Sequence, residues 1–162
     1  MAHRVSDPTL AGGGKRATGS VVTYPMPSTT SPVILPDPLK AVLDGKNFAH
    51  VTTLDPDGFP QASAVWIMRD GDRIVLNTAA GRRKERNLRH DPRVAISISA
   101  EDEYENWSIQ GRVVEMRTSD GVDIIDALAR KYLDGVDGYP WFKPGMVRVT
   151  IVVEPTRVVS NR

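Results

Sequence analysis

Polar and cationic side chains gather in one short stretch, where a strand-like segment gives way to a helix-like one. Thr78 closes the strand-like segment, and Gly81, Arg82, Lys84 and Asn87 follow it. Helix N-termini carry free N–H groups and bind phosphate readily when cations lie beside them. Arginine offers two parallel hydrogen bonds to a phosphate, and lysine offers a point charge. The pattern therefore predicts a site for a phosphorylated ligand.

The same stretch has a simpler interpretation, in which its charges only solvate the exposed face of a helix. The segments that precede it favour the ligand hypothesis, because polar residues interrupt their apolar pattern and lead directly into the basic residues. These polar residues are Gln61, Ser63, Asn77 and Thr78. Both interpretations stay open on residue chemistry alone.

Composition narrows the possible classes of protein. The chain has 162 residues, 40% of them hydrophobic and 25% charged, which is typical of one globular domain. A net charge of +1 makes a nucleic-acid-binding protein a poor interpretation, so phosphate binding must be local. Cysteine is absent, which excludes disulfides, thiolate nucleophiles and cysteine metal sites. His3, His50 and His90 are isolated and do not form a metal-binding pattern.

The N-terminal segment of the chain differs in character from the rest. Residues 1–36 are rich in Gly, Ser, Thr and Pro, which predicts a flexible leader or an arm that orders only on a partner, with the folded domain spanning 37–162. Charged and glycine residues between Gly12 and Arg16 interrupt any apolar core of a secretory signal. No apolar run approaches the roughly 20 residues of a membrane-spanning helix. We therefore expect a cytoplasmic protein.

Three helices are predicted by their start and stop signals. Asp37-Pro38 begins the first helix and Gly45 ends it. The basic helix covers about Arg82–His90 and stops before Pro92. The third opens at Ser119 or Asp120, and its apolar residues recur at helical spacing.

Six or seven strands account for most of the remaining chain, joined largely by short turns. Alternating apolar and polar residues predict strands at 48–54, 61–68, 73–78, 94–99 and 107–117, with a bulge or bend at Gly111. Pro155 argues against one continuous final strand, so we expect Met146–Val153 and a separate edge piece, Arg157–Val159. A mainly antiparallel small barrel is the favoured fold and an open sandwich the alternative.

Several motifs in a fixed order resemble those of the split β-barrel flavin/deazaflavin oxidoreductases, the superfamily of pyridoxamine 5′-phosphate oxidase. The resemblance covers about residues 38–160 and rests on Gly58-Phe59-Pro60-Gln61-x-Ser63, Asp72-x-Ile74, Asn77-Thr78, Gly81-Arg82-x-Lys84-x-x-Asn87-Leu88, Asp91-Pro92-Arg93-Val94 and Gln110-Gly111-Arg112-Val113-Val114-Glu115. The spacing of Arg82, Lys84 and Asn87 is most similar to the branch that uses coenzyme F420, a deazaflavin, rather than FMN.

The resemblance implies a mainly β fold, a split β-barrel of the pyridoxamine 5′-phosphate oxidase type with two or three short helices. It also implies a homodimer with the cofactor at the subunit interface. Arg82 and Lys84 would hold the cofactor phosphate, assisted by Asn87 and by backbone amides near Gly81. The tricyclic ring would be lined by Gln61, Ser63, Val65, Trp66, Asn77 and Thr78.

The implied activity is hydride transfer from reduced F420 to an unsaturated organic acceptor. The sequence offers no nucleophile, paired carboxylates or metal cluster, and a hydride-transferring cofactor needs none of these. No catalytic residue is therefore named. An FMN-dependent enzyme resembling pyridoxamine-phosphate oxidase and a non-catalytic flavin- or deazaflavin-binding protein remain as alternatives.

Several positions leave a choice between a binding role and a structural one. Trp66 either faces the ring or belongs to the core. His50 either faces substrate or is hydrogen-bonded near the surface. Gln110 stands where relatives often carry a basic residue. Tyr139 and Trp141 either roof the partner subunit's site or belong to a packed loop.

Overall fold

One curled antiparallel sheet carries the fold in the computed structural model, which describes residues 19–100 and 104–161. The strands of this part of the chain are β1 Val21–Thr23, β2 Ala49–Leu54, β3 Pro60–Val65, β4 Ile67–Asp70, β5 Arg73–Ala79, β6 Arg93–Ser99, β7 Asn106–Arg117 and β8 Arg148–Ser160. The helices are α1 Asp37–Asp44, α2 Arg83–His90 and α3 Gly121–Tyr132. None of these helices has the length and apolar character needed to cross a membrane.

The two outer strands of the sheet are consecutive in the chain. The strand order is β3-β2-β6-β7-β8-β5-β4, and β1 pairs with β7 outside this path. Only Trp66 separates β3, at one end of the order, from β4, at the other. Because one residue spans this gap, the sheet must curl until its ends meet. The result is a barrel that is split beside Trp66.

The inside of the curl is filled by the apolar side of each strand. Residues of one strand face alternate sides of the sheet, and the predicted alternation of β6 is confirmed. Val94, Ile96 and Ile98 are buried, whereas the residues between them are more exposed. The core is completed from other elements by Leu39, Leu43, Val51, Ile74, Leu76, Leu88, Ile109, Val113, Val149, Ile151 and Val153.

The C-terminal end of α3 secures the split. The hydroxyl of Tyr132 donates to the carbonyl oxygen of Asn47 at 2.7 Å and accepts from the Ile67 amide at 3.1 Å. The ammonium of Lys131 donates to the carbonyl oxygens of Ile67, at 2.7 Å, and Leu43. Leu43 lies in the last turn of α1, where carbonyls lack helical partners. Two side chains therefore tie together α1, α3 and the point where β4 begins.

The last strand differs from its prediction. The structure has one continuous β8 rather than two pieces interrupted at Pro155. β5 pairs with β8 only from Arg148 to Val153, so Pro155 lies beyond the shared ladder and its missing N–H breaks no bond to β5. Opposite Pro155, β7 carries the predicted irregularity at Gly111. A Cβ at Gly111 would lie 2.6 Å from Val153 and 2.9 Å from the Glu154 oxygen, which explains the glycine.

The other element predictions agree closely with the structure. All three helices begin and end within a residue or two of their predicted bounds. The segment predicted as one strand over 61–68 divides at Trp66 into β3 and β4. The sequence pattern did not reveal β1, whose three residues are too few to show alternation.

Part of the predicted leader contacts the barrel. Residues 1–18 lie outside the described residues. Further along, β1 pairs with β7, and Leu35 is buried in the core with 1% of its surface exposed. The Leu35 amide donates to the Asp72 carboxylate at 3.1 Å. Leu35 therefore anchors the chain to the core just before α1 begins.

Removing the Tyr132 hydroxyl should destabilise the fold. In Tyr132→Phe, the Ile67 amide and the Asn47 carbonyl each lose a partner, and we expect the free energy of unfolding to fall by about 1–3 kcal/mol in urea denaturation. Tyr24→Phe is the matched control, because the Tyr24 hydroxyl donates only to the weak sulfur acceptor of Met116 at 3.6 Å. Equal losses in the two variants would contradict the role given to Tyr132.

Candidate functional site

A cleft of about 220 Å³ opens beside the split in the barrel. Strand β3, the junction at Trp66, strand β5, the start of α2 and the loop after α3 contribute its walls. The lining residues are Phe48, Ala64, Val65, Trp66, Asn77, Thr78, Ala79, Arg82, Lys84, Tyr139, Trp141 and Arg148. The basic segment predicted from sequence therefore borders a concave site.

Three cations line this cleft, and its lining contains no carboxylate. They are Arg82 and Lys84 at the start of α2 and Arg148 at the start of β8. Among the described residues, none of the three forms an ion pair. Burial, and then repulsion from Arg82 and Arg148, lower the pKa of Lys84 below its usual range. This arrangement is suited to an anionic ligand, which would supply the missing negative charge.

The backbone conformation of the turn before α2 explains why a glycine occupies it. Gly81 has φ +80°, a conformation that favours glycine. Its amide donates to the Glu85 carboxylate at 3.1 Å, and Glu85 in turn pairs with Arg89. The Gly81 N–H is thus engaged within the protein. Arg82 is the N-cap residue of α2, and the helix start brings Arg82 and Lys84 to the cleft.

Arg148 is the functional candidate that the sequence interpretation missed. Its side chain is buried, with 6% of the residue exposed, and burial lowers its pKa. The Nε atom donates to the Asn77 side-chain oxygen at 2.7 Å, while the Asn77 amide nitrogen donates to the Gly121 carbonyl at 2.8 Å. The guanidinium carbon lies 5.0 Å from the centre of the Tyr139 ring. An arginine within the apolar run Met146–Val153 was the available signal.

Five aromatic side chains form a cluster that we call the aromatic wall, consisting of Phe48, Trp66, Tyr132, Tyr139 and Trp141. Trp66 is stacked on Tyr132, with ring centres 5.4 Å apart and an angle of 6° between planes. Its ring also lies 6.2 Å from both Tyr139 and Trp141. All but Tyr132 line the cleft directly. Flat apolar surface therefore adjoins the cationic part of the site.

The cleft brings together six of the ten residues that the sequence indicated. They are Val65, Trp66, Asn77, Thr78, Arg82 and Lys84. Of the other four, Gln61 and Ser63 precede Val65 on the same face of β3. The Gln61 Oε1 and Ser63 Oγ atoms are buried and have no hydrogen-bond partner within the described part of the chain. These two residues therefore share a strand face with Val65 but are not part of the cleft lining.

Asn87 and Gly81 are not among the residues lining the cleft. Asn87 is buried, with 3% exposed, and its amide donates to Thr53 at 3.0 Å and to the Asp55 carboxylate at 2.9 Å. Arg83 donates to the same carboxylate at 2.9 Å. Hydrogen bonds from Arg83 and Asn87 hold the pKa of Asp55 below its usual range. These contacts attach α2 to the end of β2.

The remaining candidate residues lie in three different places. Tyr139 and Trp141 line the cleft of their own chain. His50 is exposed on β2, opposite Ala64 of β3. Gln110 lines a separate cleft of about 450 Å³, whose lining also includes Pro27 and Thr156. Within residues 19–100 and 104–161, no three His, Asp or Glu residues are placed to hold a metal ion.

A curled antiparallel sheet with a cationic, aromatic-walled cleft at its split is the architecture of a split-barrel protein. Residues 35–159 match the family model of pyridoxamine 5′-phosphate oxidase, so the chain belongs to that family. The predicted fold class, a mainly β split barrel with short helices, is thereby confirmed.

Solved structures of similar fold extend this comparison. An F420 reductase is 28% identical, with a TM-score of 0.68, over 77% of this chain and 98% of its own. A conserved hypothetical protein from Mycobacterium tuberculosis is 23% identical, with a TM-score of 0.64, over 80% of this chain and 85% of its own. A pyridoxamine 5′-phosphate oxidase-related, FMN-binding protein from Nostoc punctiforme is 13% identical, with a TM-score of 0.53, over 71% and 73%. The last two are similar in fold alone.

The lowered pKa of Lys84 gives a test of anion binding. Protonated Lys84 attracts an anion, so the affinity for sulfate should fall as pH rises through the lowered pKa of Lys84, at a lower pH than for an ordinary lysine. Isothermal titration calorimetry would measure the affinity. Lys84→Arg should flatten the profile, because arginine stays charged in this range. The Lys84→Arg variant keeps every other residue that lines the cleft, so the difference between the two pH profiles reports on Lys84 alone. Identical profiles would contradict this placement of the charge.

The contacts of Asn87 predict a structural effect. In Asn87→Ala, Thr53 and Asp55 lose a buried donor, and we expect the free energy of unfolding to fall by about 1–3 kcal/mol. Sulfate affinity should stay close to that of the unmodified protein, measured under the same conditions. Unchanged stability with lost sulfate binding would instead assign Asn87 to the ligand site.

Proposed function

We propose that the protein is an F420-dependent reductase, which passes a hydride from the reduced cofactor to an unsaturated organic acceptor. The observation that carries the proposal is a cleft with three cations, no lining carboxylate and an aromatic wall. The similarity to an F420 reductase, at 28% identity and nearly the full length of that chain, favours F420 as the cofactor.

The side chains of the cleft fit a phosphate-bearing ring cofactor. Arg82 and Lys84 lie together without acidic partners among the described residues, so a phosphate would satisfy both. Gln61 and Ser63 do not line the cleft, so their ring-lining role stays a prediction from the sequence resemblance. Both polar atoms of the Asn77 side chain are engaged, by Gly121 and Arg148. We therefore give Asn77 the role of orienting Arg148 rather than of pairing with a ring.

The chain contributes binding and orientation, and the cofactor contributes redox chemistry. When bound, reduced F420 supplies the hydride, and the acceptor also takes up a proton from solvent. Val65 and Trp66 cover one side of the cleft with apolar surface and exclude water there. The cations hold the anionic part of the ligand at the other side.

A homodimer in the cytoplasm, with the cofactor at the interface, is part of this proposal. Phe48 and Trp141, at the mouth of the cleft, are 58% and 55% exposed, and Phe142 beside them is 44% exposed. Burial of these side chains against a second copy would remove apolar surface from water. Sedimentation equilibrium should give twice the mass of the chain, and a monomer at micromolar concentration would contradict the assembly.

Two alternatives use the same cleft. FMN also joins a ring to a phosphate, so an FMN-dependent enzyme would use the same cations. The FMN-binding relative is similar in fold alone, however, which makes F420 the better-supported cofactor. A protein that only binds the cofactor would have the same affinity but no turnover.

Parallel titrations with F420 and FMN test the proposal directly. Cofactor fluorescence and tryptophan quenching should report micromolar binding of F420 and much weaker binding of FMN, since Trp66 and Trp141 line the cleft. Consumption of reduced F420 with a panel of unsaturated acceptors then tests turnover. Preference for FMN would overturn the cofactor assignment. Tight F420 binding without turnover across the panel would favour the non-catalytic protein.

Removing the positive charges of Arg82 and Lys84 should weaken F420 binding. The Arg82→Ala/Lys84→Ala double variant loses the charge-assisted contacts proposed for the phosphate, and we expect a loss of about 2–4 kcal/mol, roughly 30- to 900-fold in Kd. The matched control is Lys46→Ala/Arg157→Ala, which removes two exposed cations outside the cleft. Affinity like that of the unmodified protein in the first variant would overturn the phosphate assignment.

A further inference from the structure

Arg148 carries a positive charge in the protein interior, where unpaired charges are rare. The residue is 6% exposed, and no Asp or Glu among the described residues pairs with it. Transfer of an unpaired charge from water into a protein interior is costly, and buried charges are accordingly paired or bound to a ligand. The groups in contact with its guanidinium are neutral, namely Asn77, Tyr139 and the sulfur of Met146, and Arg82 nearby adds repulsion rather than a partner. An anion from outside the chain would supply the opposite charge that the described residues do not.

The surroundings also fix the direction of the guanidinium. Asn77 is held by the Gly121 carbonyl and accepts from Nε of Arg148 at 2.7 Å. The guanidinium carbon of Arg148 lies over the Tyr139 ring, 5.0 Å from the ring centre. A Cβ at Gly121 would lie 2.1 Å from the Arg148 carbonyl oxygen, so α3 and β8 meet closely here. The side chain is thus positioned before any ligand binds, which lowers the entropic cost of binding.

Arg148 is continuous with the aromatic wall, whereas Arg82 and Lys84 belong to the start of α2. The Tyr139 ring that contacts Arg148 lies 5.5 Å from Trp141 and 6.2 Å from Trp66. An anionic group bound at Arg148 would therefore be attached to a molecule whose flat part contacts aromatic rings. Stacking and cation–anion contact would then act on the same ligand.

We propose that Arg148 and the aromatic wall form a subsite for the hydride acceptor, and that the acceptor is a conjugated, planar molecule carrying a carboxylate or sulfonate. The acceptor role rests on the proposed F420-dependent function. The preference for a planar anion rests only on Arg148 and its aromatic neighbours. Arg148 determines specificity by accepting molecules with an anionic group and disfavouring neutral ones of the same shape.

Two fluorescent probes separate charge from shape. 8-Anilinonaphthalene-1-sulfonate combines a flat naphthalene ring with an anionic sulfonate, and N-phenyl-1-naphthylamine has the same ring system without the sulfonate. The protein should bind the sulfonate probe more tightly than the neutral one. Arg148→Gln should weaken the sulfonate probe by about tenfold or more and leave the neutral probe nearly unchanged. Equal effects on both probes, or no effect on either, would overturn the proposal.

Further variants guard against an indirect effect. Asn77→Asp keeps Arg148 but places a carboxylate beside it, so the sulfonate probe should again weaken. Arg148→Lys keeps the charge and should retain part of the preference. Arg157→Gln removes an exposed arginine of the same strand outside the cleft and should change neither probe. Thermal unfolding of each variant identifies a loss of fold.

Repeating the titration with F420 present distinguishes acceptor from cofactor. If the subsite serves the acceptor, the sulfonate probe should bind the F420-saturated protein with the same dependence on Arg148. Competitive displacement by F420 would overturn the acceptor assignment and place the cofactor at Arg148. If F420 does not bind, the proposed function and the acceptor role fail together. An Arg148-dependent preference for the sulfonate would still support a site for planar anions.

Discussion

The rest of the structure depends on how the sheet is closed at Trp66. The first and last strands of the sheet order are separated by this one residue, so the ends of the sheet are fixed by a covalent connection. Tyr132 and Lys131 form hydrogen bonds to backbone groups of Ile67, the first residue of β4, directly beside this connection. Trp66 itself lines the cleft. Closure of the sheet and the cleft therefore have a common structural origin.

The electrostatics of the cleft follow from which cations are neutralised within the chain. Arg83 pairs with Asp55 at the end of β2, which holds α2 against the sheet, whereas Arg89 pairs with Glu85 within the helix itself. Lys84, on the same helix, faces the cleft together with Arg148 and has no acidic partner among the described residues. Neighbouring cations of one helix thus differ in whether the chain neutralises them. This difference depends on contacts in the folded chain, which explains why charge alone did not identify the residues that line the cleft.

Local signals predicted the elements well, and long-range contacts account for the differences. Asp37-Pro38 and Asp91-Pro92 bound α1 and α2 as expected, because proline restricts the backbone whatever the tertiary context. The continuity of β8 through Pro155 was not predictable, since it depends on the end of the β5 ladder and on the bulge in β7. The roles of Asn77 and Asn87 depend on partners 71 and 32 positions away in the chain. Six predicted residues still meet in the cleft, because spacing along β3, β5 and α2 is local.

The pairing of β5 with β8 also determines when the cleft can form during synthesis of the chain. Ala79 pairs with Arg148 and Ile74 with Val153, so these contacts join distant parts of the sequence. The β2–β3, β4–β5 and β6–β7 pairs connect consecutive strands and can form early. Tyr139, Trp141 and Arg148 are synthesised after Arg82 and Lys84. A nascent chain therefore carries Arg82 and Lys84 before the aromatic wall is complete and before Arg148 is present, and the cleft can form only once β8 has been synthesised.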